Sequence, residues 1–156
     1  MPKLLKVLLT GWLAIMTASS ALAGAHYQIK TTASDFDAAL FNLENAIVNR
    51  GLVVDSVGHV GTMLARTSKA TGGSSPYIGA RYLAFCSAKL SVAAMQVDPD
   101  NLAICPYVMF VYELKSEPGK ARIGYRRPMA VESAASKDAI AAIDKLLAGI
   151  LDDATH

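Results

Sequence analysis

Hydrophobic residues recur with helical spacing near both ends of the chain. An early stripe has steps of four, three and four residues, typical of one face of a helix, and comprises Phe36, Leu40, Leu43 and Ile47. Ser34 followed three residues later by Asp37 predicts a capping box at the start of this helix, and Gly51 predicts its end. A late stripe predicts a last helix from about Ser136, and it comprises Ile140, Ile143, Leu147, Ile150 and Leu151.

Between these helices the pattern changes to runs typical of strands. The predicted strands are Tyr27 to Thr31, Leu52 to His59, Ile78 to Cys86, Tyr107 to Leu114, and Ala121 to Tyr125 after a turn at 117–120. Residues 67 to 76 read as a loop, and Ser87 predicts the cap of a short helix that Asp98-Pro99 ends after Val97. The order of elements predicts an α+β fold with helices covering a mainly antiparallel sheet of about five strands.

The predicted strand from Tyr107 to Leu114 is apolar on both faces. One face carries Val108, Phe110, Tyr112 and Leu114, and the other carries Tyr107, Met109, Val111 and Glu113. A strand with one face in water would alternate more cleanly between apolar and polar residues. We therefore expect a lid or partner subunit to cover the face that carries Met109, and we predict a homodimer that buries this face.

The first 23 residues have the features of a secretory signal peptide. Lys3 and Lys6 precede an apolar run from Val7 to Met16, and small residues follow as far as Ala21-Leu22-Ala23. The apolar run has about half of the roughly twenty residues that span a bilayer, so an uncleaved anchor is the weaker interpretation. We expect an exported periplasmic protein without stable membrane insertion after cleavage. Its mature chain begins at Gly24, or at His26 if cleavage follows Ala25.

Composition and charge narrow the class of protein. A chain of 156 residues with 53% apolar content is sufficient for one globular domain, which we place at 24–156. The chain has 15 basic and 13 acidic residues. Loss of Lys3 and Lys6 with the leader makes the mature charge zero, which argues against nucleic acid as a partner.

Short motifs in the middle of the chain resemble those of the domain of unknown function 302 (DUF302) family. The residues that carry the resemblance are Phe85 to Leu90, Met95-Gln96, Pro106, Val111 to Glu113, Gly119-Lys120 and Tyr125 to Pro128. Upstream, Arg50-Gly51-Leu52 and the segment ending in His59 are also similar to the family's pattern. The resemblance covers about residues 30 to 150. It implies an α+β fold related to the TATA-binding-protein type, often dimeric, with no established activity.

This sequence departs from the family pattern at four places. Cys86-Ser87-Ala88 replaces Gly-Asn-Pro, Cys105 replaces a leucine, Gly58 replaces an aspartate, and Arg126-Arg127 replaces Asn-Asp. The two cysteines therefore occupy positions where the family has other residues. In an exported protein they favour a Cys86–Cys105 disulfide, the alternative being two buried free thiols. No Cys-X-X-Cys redox motif is present in the sequence.

Histidines supply the candidate metal ligands, His26 and His59. His59 follows a predicted strand, where it is either a surface histidine or a ligand at a pocket edge. Cleavage after Ala23 leaves Gly24-Ala25-His26, whose amine, amides and imidazole suit Cu(II) or Ni(II), and cleavage after Ala25 leaves His26 first, with His59 as a further nitrogen ligand. The sequence thus leaves copper or haem open as a cofactor.

The candidate ligand-binding residues are His59, Tyr107 and Arg126. Arg126 belongs to a basic group with Lys120, Arg122 and Arg127, which is either a solvated surface or an anion-binding one. The sequence contains no Gly-X-Ser-X-Gly, no His-Glu-X-X-His and no phosphate loop, so no catalytic residues are assigned.

Three functions follow in decreasing order of support. The first is a non-enzymatic module that binds a ligand or another protein in the periplasm. The second is a small copper- or haem-binding protein with a periplasmic redox partner. The third is an enzyme, for which the sequence offers no converging titratable residues.

Overall fold

The computed structural model describes residues 26–129, 133 and 135–156 of the chain. The expected signal peptide lies outside these residues. The strands are β1 (Tyr27–Thr31), β2 (Ser56–Gly58), β3 (Tyr77–Phe85), β4 (Tyr107–Leu114) and β5 (Arg122–Arg126). The α-helices are α1 (Phe36–Val48), α2 (Val60–Thr67), α3 (Ala88–Val97) and α4 (Ser136–Ala154), and Pro99–Ile104 forms a 3-10 helix.

The five strands form one antiparallel sheet in the order β1-β5-β4-β3-β2. β4 lies at the centre, where Met109 is opposite Leu83 of β3 and Tyr125 of β5. β1 and β2 form the two edges. The predicted α+β class and antiparallel five-stranded sheet are confirmed.

Helices α1 and α4 cover one face of the sheet and complete the core. The late stripe from Ile140 to Leu151 is buried on α4, as its spacing predicts. The early stripe on α1 buries Leu40, Leu43 and Ile47, whereas Phe36 is partly buried against the core. Among the described helices, none is both long and apolar enough to cross a membrane.

The orientation predicted for β4 is wrong. Its buried residues are Tyr107, Met109, Val111 and Glu113, which face α1 and α4 within the same chain. Val108, Phe110 and Tyr112 are only partly buried and lie on the opposite face. The face that carries Met109 therefore belongs to the core, and a partner would have to cover the other face.

Glu113 is buried because two backbone donors from distant segments meet its carboxylate. Its Oε2 accepts a hydrogen bond from the backbone N–H of Phe36 at 2.6 Å, and its Oε1 accepts one from Gly119 at 2.7 Å. Phe36 is the first residue of α1, and Gly119 lies in the β4–β5 turn with φ +77°. One side chain thus connects the start of a helix to a hairpin.

Local signals predict some element ends correctly and misplace others by one or more residues. Gly51 follows α1 with φ +72°, as predicted for a helix end. The cap of α1 is Asp35, whose carboxylate accepts from the Ala38 N–H at 2.8 Å, so the predicted capping box at Ser34 is wrong. Ser87 caps α3 as predicted, by accepting from the Leu90 N–H.

The region from Leu52 to Thr67 differs most from the prediction. Only Ser56–Gly58 pairs with β3, so the strand predicted from Leu52 to His59 is too long. Helix α2 follows, without a prediction from the sequence; it is eight residues long and none of its residues is fully buried. Gly61 allows its close approach to β3, since an added Cβ would lie 2.8 Å from the Ala80 nitrogen.

The predicted disulfide between Cys86 and Cys105 is present, with Cα atoms 6.1 Å apart. It joins the residue after β3 to the residue after the 3-10 helix. The disulfide therefore ties the connection from β3 into α3 to the connection from the 3-10 helix into β4.

Replacing both cysteines by serine is expected to lower the free energy of unfolding by about 3 kcal/mol, because the disulfide closes a loop that the unfolded chain would otherwise leave open. Urea unfolding of the double variant and the wild type measures the difference. Peptide mapping without reductant should recover the Cys86–Cys105 pair. Equal unfolding midpoints for the wild type with and without reductant would contradict this role.

Candidate functional site

A cavity of about 320 Å³ lies where β4 begins and β5 ends, and we call it the end cavity. Its walls come from the 3-10 helix, the two strand ends, the segment after β5 and helix α4. The lining residues are Ala103, Ile104, Pro106, Tyr107, Val108, Arg126, Arg127, Pro128, Met129 and Leu147. This volume is near the lower limit for small-molecule sites.

The end cavity has a buried end and an exposed end. Leu147 and Tyr107 are 1% and 3% exposed, whereas Met129 is 65% exposed and Arg126 is also exposed. Most of the lining side chains are apolar, and the charged ones among the described residues are Arg126 and Arg127. The cavity is therefore apolar inside and positively charged at its mouth.

Tyr107 lines the end cavity, and its hydroxyl is bonded to Ser91, which does not line it. The Tyr107 hydroxyl and the Ser91 hydroxyl share a buried hydrogen bond of 2.9 Å. Burial raises the pKa of Tyr107, against smaller opposing effects from hydrogen bonds with Ser91 and Ser87. The side chain is therefore neutral at physiological pH.

Arg127 is held in place by a polar network beside the cavity. Its Nε lies 3.8 Å from Oδ1 of Asp144, and its guanidinium donates to the side-chain oxygen of Gln28. Tyr125 donates from its hydroxyl to the same Asp144 oxygen at 3.0 Å. Burial, reinforced by Asp144, raises the pKa of Tyr125 to about 12, so that it remains a donor at neutral pH.

Arg126 has a different environment from that of Arg127. Its side chain makes no salt bridge or hydrogen bond with the residues that the structure describes. Arg122 lies four residues earlier on β5. It pairs with Glu117, and its guanidinium lies over the Tyr112 ring, 5.8 Å from the ring centroid. The basic group predicted from the sequence is thus divided among three separate environments.

The structure brings two of the three candidate ligand-binding residues together. Tyr107 and Arg126 both line the end cavity. His59 lies at the N-terminal cap position of α2, exposed and without a side-chain capping bond, next to the β2 edge of the sheet. It does not line the cavity.

The two candidate metal ligands are far apart. His26 precedes β1 and accepts a backbone hydrogen bond from Arg127, whereas His59 follows β2. These strands are opposite edges of the sheet, four interstrand spacings or about 19 Å apart. A copper site that combines His26 and His59 in one chain is therefore wrong, and an amino-terminal site at His26 alone stays a prediction. No group of three or more His, Cys, Asp or Glu side chains within the described part of the chain is arranged to hold a metal ion.

Sequence reasoning missed most of the cavity walls. The 3-10 helix was not predicted, although Pro99 and the Asp98 side chain, which accepts from the Asp100 N–H at 3.0 Å, are its local signals. Leu147 was predicted only as a core residue of α4. Pro106 directly precedes β4 and Pro128 lies two residues after β5, so the two prolines lie near the strand ends that meet at the cavity.

These features define an α+β protein with one helix-covered antiparallel sheet and an apolar cavity at one end of it. The family described as "Domain of unknown function DUF302" matches residues 27–154, and the chain belongs to this family. A crystal structure of an uncharacterised conserved DUF302 protein from Bacillus stearothermophilus is similar, with a TM-score of 0.70 and 19% identity. The match covers 83% of this chain and 98% of that one. None of the curated proteins compared with the chain matches it.

Proposed function

We propose that the protein is an exported, non-enzymatic module that binds a small molecule in the end cavity. The observation that carries this proposal is the cavity itself, which has mostly apolar walls and joins Tyr107 and Arg126. Such a concave apolar site with few polar groups is typical of ligand binding. The phenol of Tyr107 is neutral and bonded to Ser91, which favours binding over proton transfer.

Export is supported by two independent features of the chain. The leader has the charge and apolar pattern of a signal peptide. The Cys86–Cys105 disulfide is of a kind that persists in oxidising compartments. We therefore place the module in the periplasm.

A homodimer is part of the proposal, through the sheet face opposite α1 and α4. The apolar residues of this outer face are Val108, Phe110 and Tyr112 of β4, Tyr82 of β3 and Ile29 of β1, and Arg122 of β5 lies over the Tyr112 ring. Tyr82 is 39% and Ile29 37% exposed. A two-fold axis would bring two identical apolar faces together and remove both from water.

Close packing within the outer face also supports an ordered surface. The Phe110 and Tyr112 rings stack with centroids 6.3 Å apart. Gly124 leaves room for this arrangement, since an added Cβ would lie 2.6 Å from Phe110. The rings are thus fixed before any partner binds, which lowers the entropic cost of association.

Ligand binding is tested by filling the end cavity. Ala103→Trp is expected to abolish saturable binding of eight-carbon probes (octanoate, 1-octanol and octylamine), because the indole occupies the space between the walls. Chemical-shift changes of backbone amides during titration of the mature protein measure binding. Leu102→Trp is the control, since Leu102 lies on the same 3-10 helix, is exposed and does not line the cavity. If no probe shifts the cavity amides of the wild type, the proposed function is wrong.

A further inference from the structure

The end cavity has a mouth with a positive charge that the described residues do not balance. Arg127 is engaged by Asp144 and Gln28, whereas Arg126 beside it has no partner among the residues that the structure describes. Both guanidinium groups belong to residues that line the cavity, and no acidic residue does so within the described part of the chain. An anionic group is therefore favoured at this position.

The opposite end of the cavity selects a different chemistry. Leu147 is nearly fully buried there, and the Tyr107 hydroxyl shares a buried hydrogen bond with Ser91, which does not line the cavity. A polar group placed at this end would lose its hydrogen bonds with water without regaining them. The inner end therefore favours hydrocarbon.

We infer that the ligand is a small organic monoanion, with a carboxylate-like group on a short apolar body. This inference rests on the proposed function. The apolar body fills the space between Leu147 and Tyr107, and the anionic group lies at the mouth, where it accepts hydrogen bonds from Arg126. Arginine suits this role because its planar fork of N–H donors matches a carboxylate. The cavity volume suits a chain of medium length or a single aromatic ring.

Three probes with the same eight-carbon chain and different head groups test this inference. Octanoate is expected to bind the mature wild-type protein about tenfold more tightly than 1-octanol, since a charge-assisted hydrogen bond is stronger than a neutral one. Octylamine is expected to bind more weakly than 1-octanol because its cation meets two arginines. Amide chemical shifts give the dissociation constants and show whether the changes lie at the cavity.

Arg126→Gln separates the role of this residue from that of general surface charge. The variant is expected to lose about tenfold in octanoate affinity and nothing in octanol affinity. Arg66→Gln is the matched control, because it removes the same charge from an exposed position on α2 that does not line the cavity. Arg126→Lys is expected to recover part of the octanoate affinity. Circular dichroism checks that each variant is folded.

The outcomes distinguish a failed inference from a failed proposed function. Equal affinities for octanoate and 1-octanol, both removed by Ala103→Trp, would overturn the monoanion inference and leave the binding module standing. An octanoate preference that Arg126→Gln and Arg66→Gln reduce equally would overturn the role of Arg126. Absence of binding by all three probes would overturn the proposed function and the inference together.

Discussion

Met109→Lys is expected to unfold the protein, whereas Phe110→Lys, at the next position of the same strand, is expected to leave it folded. Met109 is fully buried between Leu83 and Tyr125 in the core beneath α1 and α4. Phe110 lies on the outer face and is only partly buried. The pair compares the same substitution on the two faces of β4.

The expected loss for Met109→Lys is comparable to the whole stability of a small domain. A fully buried lysine can have its pKa lowered by about 3 to 5 units. At neutral pH this corresponds to about 4 to 5 kcal/mol, because a lysine whose folded pKa falls below 7 is already neutral there, against a typical folding free energy of about 5 to 15 kcal/mol. Thermal and urea unfolding, followed by circular dichroism, measure the difference between the two variants.

The same pair of variants tests the proposed homodimer. Phe110→Lys places a charge on each copy of the outer face, so it is expected to convert a dimer to a folded monomer in sedimentation experiments. Wild-type stability for Met109→Lys would contradict the assignment of its face to the core. A wild type that sediments as a monomer at micromolar concentration would remove the dimer from the proposal.

The orientation of β4 shows where sequence reasoning reaches its limit. Both faces of the strand are apolar, so the alternation alone identifies a strand without saying which face is inside. Glu113 shares a face with Met109, and a carboxylate normally favours solvent. The information that reverses this expectation is nonlocal, because Phe36 and Gly119 bring their N–H groups to Glu113 only in the folded chain.

Local patterns predicted the elements with a strong stripe or a chemical marker. Helix α4 has a continuous apolar stripe, and the disulfide was predicted from the two cysteines together with the expected export of the chain. Helix α2 was missed, because its apolar residues Val60, Met63 and Leu64 extend over only eight residues directly after a predicted strand. What positions it is a backbone contact between Gly61 and Ala80, which depends on tertiary packing.

The candidate site could be predicted only in part for a similar reason. Tyr107 and Arg126 are 19 residues apart on neighbouring strands, and an aromatic residue and a cation are informative residue types. The remaining walls come from the 3-10 helix and α4, whose apolar residues look like ordinary core residues in the sequence. His59 has an equally informative side chain, but the sheet order places it at another edge.

Glu113→Ala is expected to destabilise the protein strongly, although it changes a polar residue. The carboxylate is 3% exposed and accepts from two backbone N–H groups at 2.6 and 2.7 Å. Hydrogen bonds to a charged group contribute about 1.5 to 3 kcal/mol each. Alanine leaves both donors without their acceptor and removes a negative charge from the start of α1. We expect a loss of about 3 to 6 kcal/mol in the free energy of unfolding.

Two further variants show whether this loss comes from the two hydrogen bonds. Glu113→Gln retains one oxygen acceptor but turns an amide donor toward the other N–H, so about half of the loss is expected. Glu117→Gln is the control, four residues further along the chain. Its carboxylate is 38% exposed and pairs with Arg122 in a partly exposed salt bridge, an interaction that contributes little. Urea unfolding should therefore rank the variants from Glu117→Gln to Glu113→Gln to Glu113→Ala in increasing loss. Equal losses for Glu117→Gln and Glu113→Gln would mean that the charge on the hairpin, and not the buried bridge from β4 to α1, stabilises this end of the sheet.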